Sequence, residues 1–339
     1  MPAAIAKAYR ATGADPPFGD PGKPHGVPFE GCYWRITDRA TGTVIVALGA
    51  ACAGPRGPWG LCTLAVHRAG FAGRHPHPSG FVRTVFTRSA AADPDGFGLR
   101  AEEVLRGDAA GVSLAMGPDC RLDVELDDPL AWPRRPFGAL GPAHAVPFLS
   151  QYWHPAVLTA GVRGRVRAGP LDLSLDGAVG YAEKNWGHGF PEHWWWGHAA
   201  AFDGDDVSVA FAGGRVPLPG AEVAPTAVVV RLGRRVAALA PPGHRTRVAL
   251  GAGAWRLRTR GARYAVDLEG DADPGDALEL LVPVPGEERG EPRSHQHLAG
   301  RVALRVRRGR RLLYAGESAL AGLERGLPLT DAPPGAPPG

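Results

Sequence analysis

Lysine and asparagine are nearly missing from this chain of 339 residues. It holds 35 Arg but only three Lys (Lys7, Lys23 and Lys184), and its single Asn is Asn185. Such a bias marks a GC-rich coding sequence. A composition that avoids both residues nevertheless sets Lys184 and Asn185 side by side, which singles out the pentapeptide Glu183-Lys184-Asn185-Trp186-Gly187. Cysteine is scarce as well. Cys32, Cys52, Cys62 and Cys120 show neither a Cys-x-x-Cys spacing nor a dense framework, so they read as reduced core residues rather than a disulfide scaffold.

Long apolar runs are also absent. The longest apolar-rich stretch, residues 44–53, is too short to span a bilayer, and residues 1–20 lack the continuous apolar region of a secretory signal. The expectation is a cytoplasmic protein that can touch membranes peripherally. Net charge is +4 with a sequence pI near 9.0, but the arginines are scattered and form no basic stripe, so no nucleic-acid partner is expected. Phosphate-binding loops, nucleophile elbows and dinucleotide fingerprints are missing, which disfavours kinases, α/β-hydrolases and nicotinamide enzymes. Helical periodicity is confined to one or two possible turns at residues 99–106.

What the chain has in quantity is turn residues, with 48 Gly and 34 Pro among 44% hydrophobic and 21% charged residues. Strand signals lie between them, as in Thr43-Val44-Ile45-Val46-Ala47, Val207-Ser208-Val209-Ala210-Phe211, Ala227-Val228-Val229-Val230, Leu278-Glu279-Leu280-Leu281-Val282 and Val302-Ala303-Leu304-Arg305-Val306. Short strands at close spacing predict an all-β protein of barrels or sandwiches, and the length favours two domains. A faint repeat divides them. Phe29-Glu30-Gly31-Cys32-Tyr33-Trp34 leads through a turn into a strand, and Pro191-Glu192-His193-Trp194-Trp195-Trp196 does the same. The expected organisation is a loose arm over 1–26, β domains over 27–190 and 191–330, and a disordered tail over 331–339. The Pro-rich stretch 127–147 competes as the linker.

Tyr181-Ala182-Glu183-Lys184-Asn185-Trp186-Gly187, followed by Phe190-Pro191 and the three tryptophans, resembles the central motif of the tocopherol cyclase family. Phe29-Glu30-Gly31-Cys32-Tyr33-Trp34 is similar to the family's N-terminal Phe-Glu-Gly-Trp-Tyr segment, with Cys32 where the family usually has Trp. Ala321-Gly322-Leu323-Glu324 resembles its closing Gly-Leu-Glu segment, without the glycine-rich stretch that follows in plant enzymes. The resemblance implies two antiparallel lipocalin-like β-barrel or sandwich domains, an outline shared with carotenoid hydratases and some pericyclases. It also implies cyclisation of a prenylated hydroquinone to a chromanol, with no cofactor and no metal.

That chemistry needs an acid kept protonated near neutral pH, and burial in apolar surroundings provides one by raising a carboxyl pKa. Glu183 is the candidate. In a strand Tyr181, Glu183 and Asn185 share one face while Lys184 and Trp186 share the other. Asn185 is placed to orient the carboxyl or a phenol, and Lys184 to take part in catalysis or to hold a distant carboxylate such as Glu30. Tyr33, Trp34, Tyr181, Trp186, Phe190, Trp194, Trp195 and Trp196 are candidates for an aromatic wall that binds an apolar isoprenoid and stabilises a cation, although one side of the tryptophan run can simply be core. His188 and His193 are candidates for supporting roles near the motif. A metal reading fails on spacing: His188, His193 and His198 are five apart, His75-Pro76-His77-Pro78 is turn-like, and His295 and His297 lack an evident third ligand. The rival readings are a non-catalytic lipocalin-like carrier and a hydratase or pericyclase on the same scaffold.

Overall fold

The computed structural model describes residues 3–68, 80–202, 206–218 and 220–328. The tail expected over 331–339, and His75 and His77, lie outside the described residues. Most of the described chain is strand. A twelve-stranded sheet takes the strands from Phe29–Asp38 to Val179–Gly187, and a ten-stranded sheet takes most of those from Trp194–Ala199 to Arg311–Gly326. All the pairings are antiparallel.

Burial patterns show why each sheet lies as it does. Thr43–Gly54 and Gly57–Arg68 are buried on both faces. Ile45, Ala47, Cys62, Leu64 and Val66 point into the first sheet's own core, while Val44, Val46 and Ala65 join a cluster with Trp196, Val229 and Leu280 of the second sheet. Cys120–Ala131 alternates buried and exposed positions instead, the sign of a strand with one wet face. The second sheet encloses a further core around Trp195, Phe211, Trp255 and Leu268. The two sheets therefore meet across a third apolar layer.

Within each sheet the central strands repeat one arrangement. Val179–Gly187 lies between Phe29–Asp38 and the long strand Gln151–Ala168, and Arg311–Gly326 lies between Trp194–Ala199 and the long strand Arg289–Arg308. Tyr33 stands opposite Glu183 in the first, and Trp196 stands opposite Glu324 in the second. The membership of the sheets changes between Gly187 and Trp194.

Two local expectations need correction. Residues 99–106 form parts of two short strands, Gly98–Ala101 and Leu105–Asp108, because Leu99, Ala101 and Leu105 alternate into the first core. The N-terminal segment is no loose arm over its described length. After the helix Ala3–Arg10 the chain packs against the first sheet, with Ala14, Asp15 and His25 buried. Its Pro and Gly residues keep it out of the ladder, but its backbone carbonyls satisfy buried donors: Trp186 Nε1 donates to Gly13 O at 2.8 Å, and Lys184 Nζ to Gly22 O at 3.1 Å and Lys23 O at 2.7 Å.

Candidate active site

Val179–Gly187 is buried on both faces, and its alternation sorts the motif into two environments. On one face Glu183 looks into a cavity of about 550 Å³ lined by both sheets. The lining is mostly apolar and includes Phe29, Tyr33, Leu48, Phe190, Trp194 and Trp196. The segment between the strands Cys120–Ala131 and Gln151–Ala168 closes one side with Leu140 and Leu149. Val146, Phe148 and Val223 belong to the lining yet remain exposed, and so mark the mouth.

Glu183 is 2% exposed, and its carboxyl is surrounded by donors. Its Oε2 accepts from Tyr181 OH at 2.6 Å, Trp153 Nε1 at 2.7 Å and Trp196 Nε1 at 2.9 Å, whereas Oε1 has only Asn185 Nδ2 at 3.4 Å. Burial pushes the pKa up to about 7, against the opposing pull of these four donors. The balance has chemical content. An acid with a pKa near 7 populates both protonation states around neutral pH, and Oε1, with its single long contact, is the oxygen free to carry the proton. Once the proton leaves, the three donors on Oε2 stand ready for the negative charge without reorganisation.

The opposite face is a different structure. Lys184 Nζ pairs with Glu30 Oε2 at 2.7 Å and has no solvent contact, while Glu30 Oε1 accepts the backbone N–H groups of His25 and Gly26. Burial raises the Glu30 pKa, but the Lys184 charge and hydrogen bond and the Gly26 N–H outweigh it and hold the group low. Trp186 stacks between His25 at 4.4 Å and Tyr152 at 5.5 Å. Neither Lys184, Glu30 nor Trp186 lines the cavity. The catalytic expectation for Lys184 and the binding expectation for Trp186 are corrected accordingly: strand alternation points both under the N-terminal segment.

The other candidates divide in the same way. Tyr33, Phe190, Trp194 and Trp196 line the cavity, and Tyr33 meets Trp196 edge-on at 5.1 Å. Trp195 borders the cavity but packs into the second core, with Nε1 donating to Thr226 at 3.2 Å. Tyr181 is outside the lining and touches the site through its bond to Glu183, with its ring stacked on His198 at 3.9 Å. Trp34 is not at the site. It belongs to the first core, where its Nε1 donates to Asp108 O. His188 is exposed, and His193 borders a smaller hollow beside Arg215 and Arg325. Among the described residues no three His, Cys, Asp or Glu side chains gather as a metal site.

Three residues escaped the sequence reading. Trp153 reaches Glu183 because Gln151–Ala168 pairs with the motif strand. Glu324 and Gln296, a cross-strand pair, line the same cavity, and Glu324 Oε1 accepts from Trp194 Nε1 at 2.6 Å. Burial raises the Glu324 pKa too, opposed by Trp194, Ser294 and Gln296. The signal for Glu324 was present in the closing Gly-Leu-Glu segment and in the repeat, which sets the strand Trp194–Ala199 beside Glu324 as Phe29–Asp38 lies beside Glu183.

Fold and site together define a two-sheet antiparallel β protein with an apolar cavity built around a buried acid. A family model described as tocopherol cyclase-like matches residues 144–327, more than half of the chain, and the chain belongs to that family. A curated relative, the chloroplastic tocopherol cyclase of Zea mays, is 33% identical over 72 residues, which are 21% of this chain and 15% of that protein's length. Solved structures share the fold over nearly the whole chain. Kievitone hydratase from Nectria haematococca gives a TM-score of 0.53 at 10% identity, covering 92% of this chain and 90% of that one. An AttH protein from Nitrosomonas europaea gives 0.56 at 12%, covering 91% and 95%. CghA with Sch210972 gives 0.55 at 11%, covering 90% and 89%. At these identities the likeness shows the fold alone. No helix among the described residues is long and apolar enough to cross a membrane.

Proposed function

We propose that the protein is a cofactor-independent cyclase that protonates the alkene of a prenylated hydroquinone and closes a chromanol-type ring. The observation that carries this reading is Glu183, an acid poised near neutrality inside an apolar cavity that both sheets line. In the reaction the Glu183 proton passes to the less substituted alkene carbon and leaves a tertiary cation. The phenolic oxygen then attacks the cation and its proton returns to the Glu183 carboxylate, so atoms and charge balance and the acid is regenerated. Tyr33, Trp194 and Trp196 present ring systems to the cavity, and each ring can stabilise a passing cation by about 0.5–2 kcal/mol. The family supports a cyclase over the other chemistries on this scaffold.

A carrier would need the cavity but not the acid. Glu183→Gln separates the two, because it preserves shape and removes the proton. Turnover of a prenylated hydroquinone in deuterated water, followed by mass spectrometry, should fall by about 10²–10⁴-fold with ligand affinity retained. A variant that still forms the deuterium-labelled chromanol at the wild-type rate would remove Glu183 as the donor. Wild-type protein that binds the ligand without converting it would favour the carrier.

A further inference from the structure

The cavity has a second polar end, at which hydrogen-bonding capacity is left over. Glu324 Oε1 takes the indole N–H of Trp194 at 2.6 Å, and Glu324 Oε2 takes the amide of Gln296 at 2.8 Å. Gln296 is 1% exposed, and its carbonyl Oε1 is buried with no partner. An unpaired acceptor in such a place costs free energy unless a donor reaches it. Both side chains line the cavity. The nearby donors, Trp194 Nε1, Ser294 Oγ and Gln296 Nε2, are all directed at Glu324, so the donor for Gln296 Oε1 comes from the cavity side, from water or from the bound molecule that displaces it.

We propose that Glu324 and Gln296 form a subsite that grips a hydroxyl group of the ligand, so that the cavity takes the hydroxylated, reduced form of an aromatic isoprenoid and rejects forms that lack an O–H. The inference rests on the functional reading above for the class of ligand. A hydroxyl is the neutral oxygen group that gives a hydrogen to Gln296 Oε1 while presenting its own oxygen. A quinone carbonyl or an aryl ether presents only acceptors and leaves Oε1 unpaired. An ammonium could donate, but it would carry charge into an apolar cavity. The two carboxyl ends then divide the work. Glu183 faces the reacting alkene, and Glu324 with Gln296 fixes the ring by its hydroxyl, with Trp196 and Trp194 of a single strand holding one carboxyl each.

The test is binding, not turnover. 2-Geranylhydroquinone and its dimethyl ether are mixed with the purified protein by stopped flow under reducing conditions, and quenching of tryptophan fluorescence is followed before the hydroquinone is converted. Wild type should bind the hydroquinone roughly tenfold or more tightly than the ether, since a site built to bond an O–H discriminates strongly against its absence. Gln296→Met, which conserves volume, and Glu324→Leu should bring that ratio towards one by weakening the hydroquinone alone, while Glu324→Gln keeps most of the preference. Thermal melts identify folded variants, and if Glu324→Leu does not fold, Gln296→Met decides. Equal weakening of both probes, no discrimination by wild type, or no binding of either probe overturns the proposal. Glu183→Gln should keep the wild-type ratio, so failure of the proton-donor reading and failure of this one give different results.

Discussion

A lysine amine without solvent contact must find its partners inside the fold, and Lys184 finds three: the Glu30 carboxylate and the carbonyls of Gly22 and Lys23. Its ammonium also lies 5.4 Å from the centre of the Trp186 ring. Every one of these partners belongs to the scaffold behind the cavity. Lys184→Ala should therefore act on stability, costing about 3–5 kcal/mol because it strands the Glu30 charge in a buried place. Adding Glu30→Gln should recover part of that loss, and urea unfolding of the single and double variants measures both effects. Folded Lys184→Ala protein should turn over substrate at close to the wild-type rate. A variant with wild-type stability and lost activity would return Lys184 to the catalytic machinery.

At the scale of the element, Trp194–Ala199 holds the acid in tune. Trp196 Nε1 donates to Glu183 Oε2, and such donors lower the pKa that burial raises, so Trp196→Phe should move it further upward. Because the acid must be protonated to act, the alkaline fall in kcat/KM should shift to higher pH in Trp196→Phe. Trp195→Phe, whose indole bonds Thr226, should leave the profile in place. Identical profiles for the two variants would show that the indole does not set the acidity. The face of each tryptophan and of each motif residue was legible in the sequence, because a strand's period of two separates Trp194 and Trp196 from Trp195, and Glu183 from Lys184. What the period cannot give is the partner strand. Trp153 and Glu324 are brought to the cavity by pairings with Asn185, Gln296 and Trp196, far apart in sequence, and no local pattern encodes that register. Strands of four residues, as at Gly98–Ala101, hold too few periods to distinguish them from a helical turn. The N-terminal segment misled for another reason: its composition reports what it cannot form, a ladder, and not what its carbonyls can satisfy.

The whole molecule places buried ionisable groups on both sides of the cavity, and their titrations oppose one another. Arg35 of the first sheet reaches across the apolar layer to the carbonyls of Leu298 and Leu320, at 2.7 Å each, so the two sheets share one interior. Burial lowers the His25 pKa to about 4 despite the help of Asp15, and holds His154 and His198 well below the usual range. The unfolded chain protonates these histidines near pH ~6.5 and the folded chain does not, so their contribution to stability falls as pH drops from ~6.5 toward 4. Glu30, with its folded pKa lowered, loses stability in the same direction at still lower pH. Glu183 runs the other way. Its folded pKa of about 7 lies above the unfolded value near 4.5, so the folded state binds a proton first, and this contribution is complete below the unfolded value and lost as pH rises through 7. The melting temperature of the wild type should accordingly decline from pH 7 to 5, but less steeply than that of Glu183→Gln, which lacks the Glu183 contribution and keeps only that of Glu324. The difference between the two proteins isolates the Glu183 titration from the histidines common to both. Melting temperature measured for wild type minus variant should rise as pH falls from 8 to 5 and flatten below ~4.5, where the unfolded carboxyl is protonated as well. A difference that stays constant across that range would mean that Glu183 keeps an ordinary carboxyl pKa in the folded protein, and the acid at the centre of the cavity would lose its physical basis.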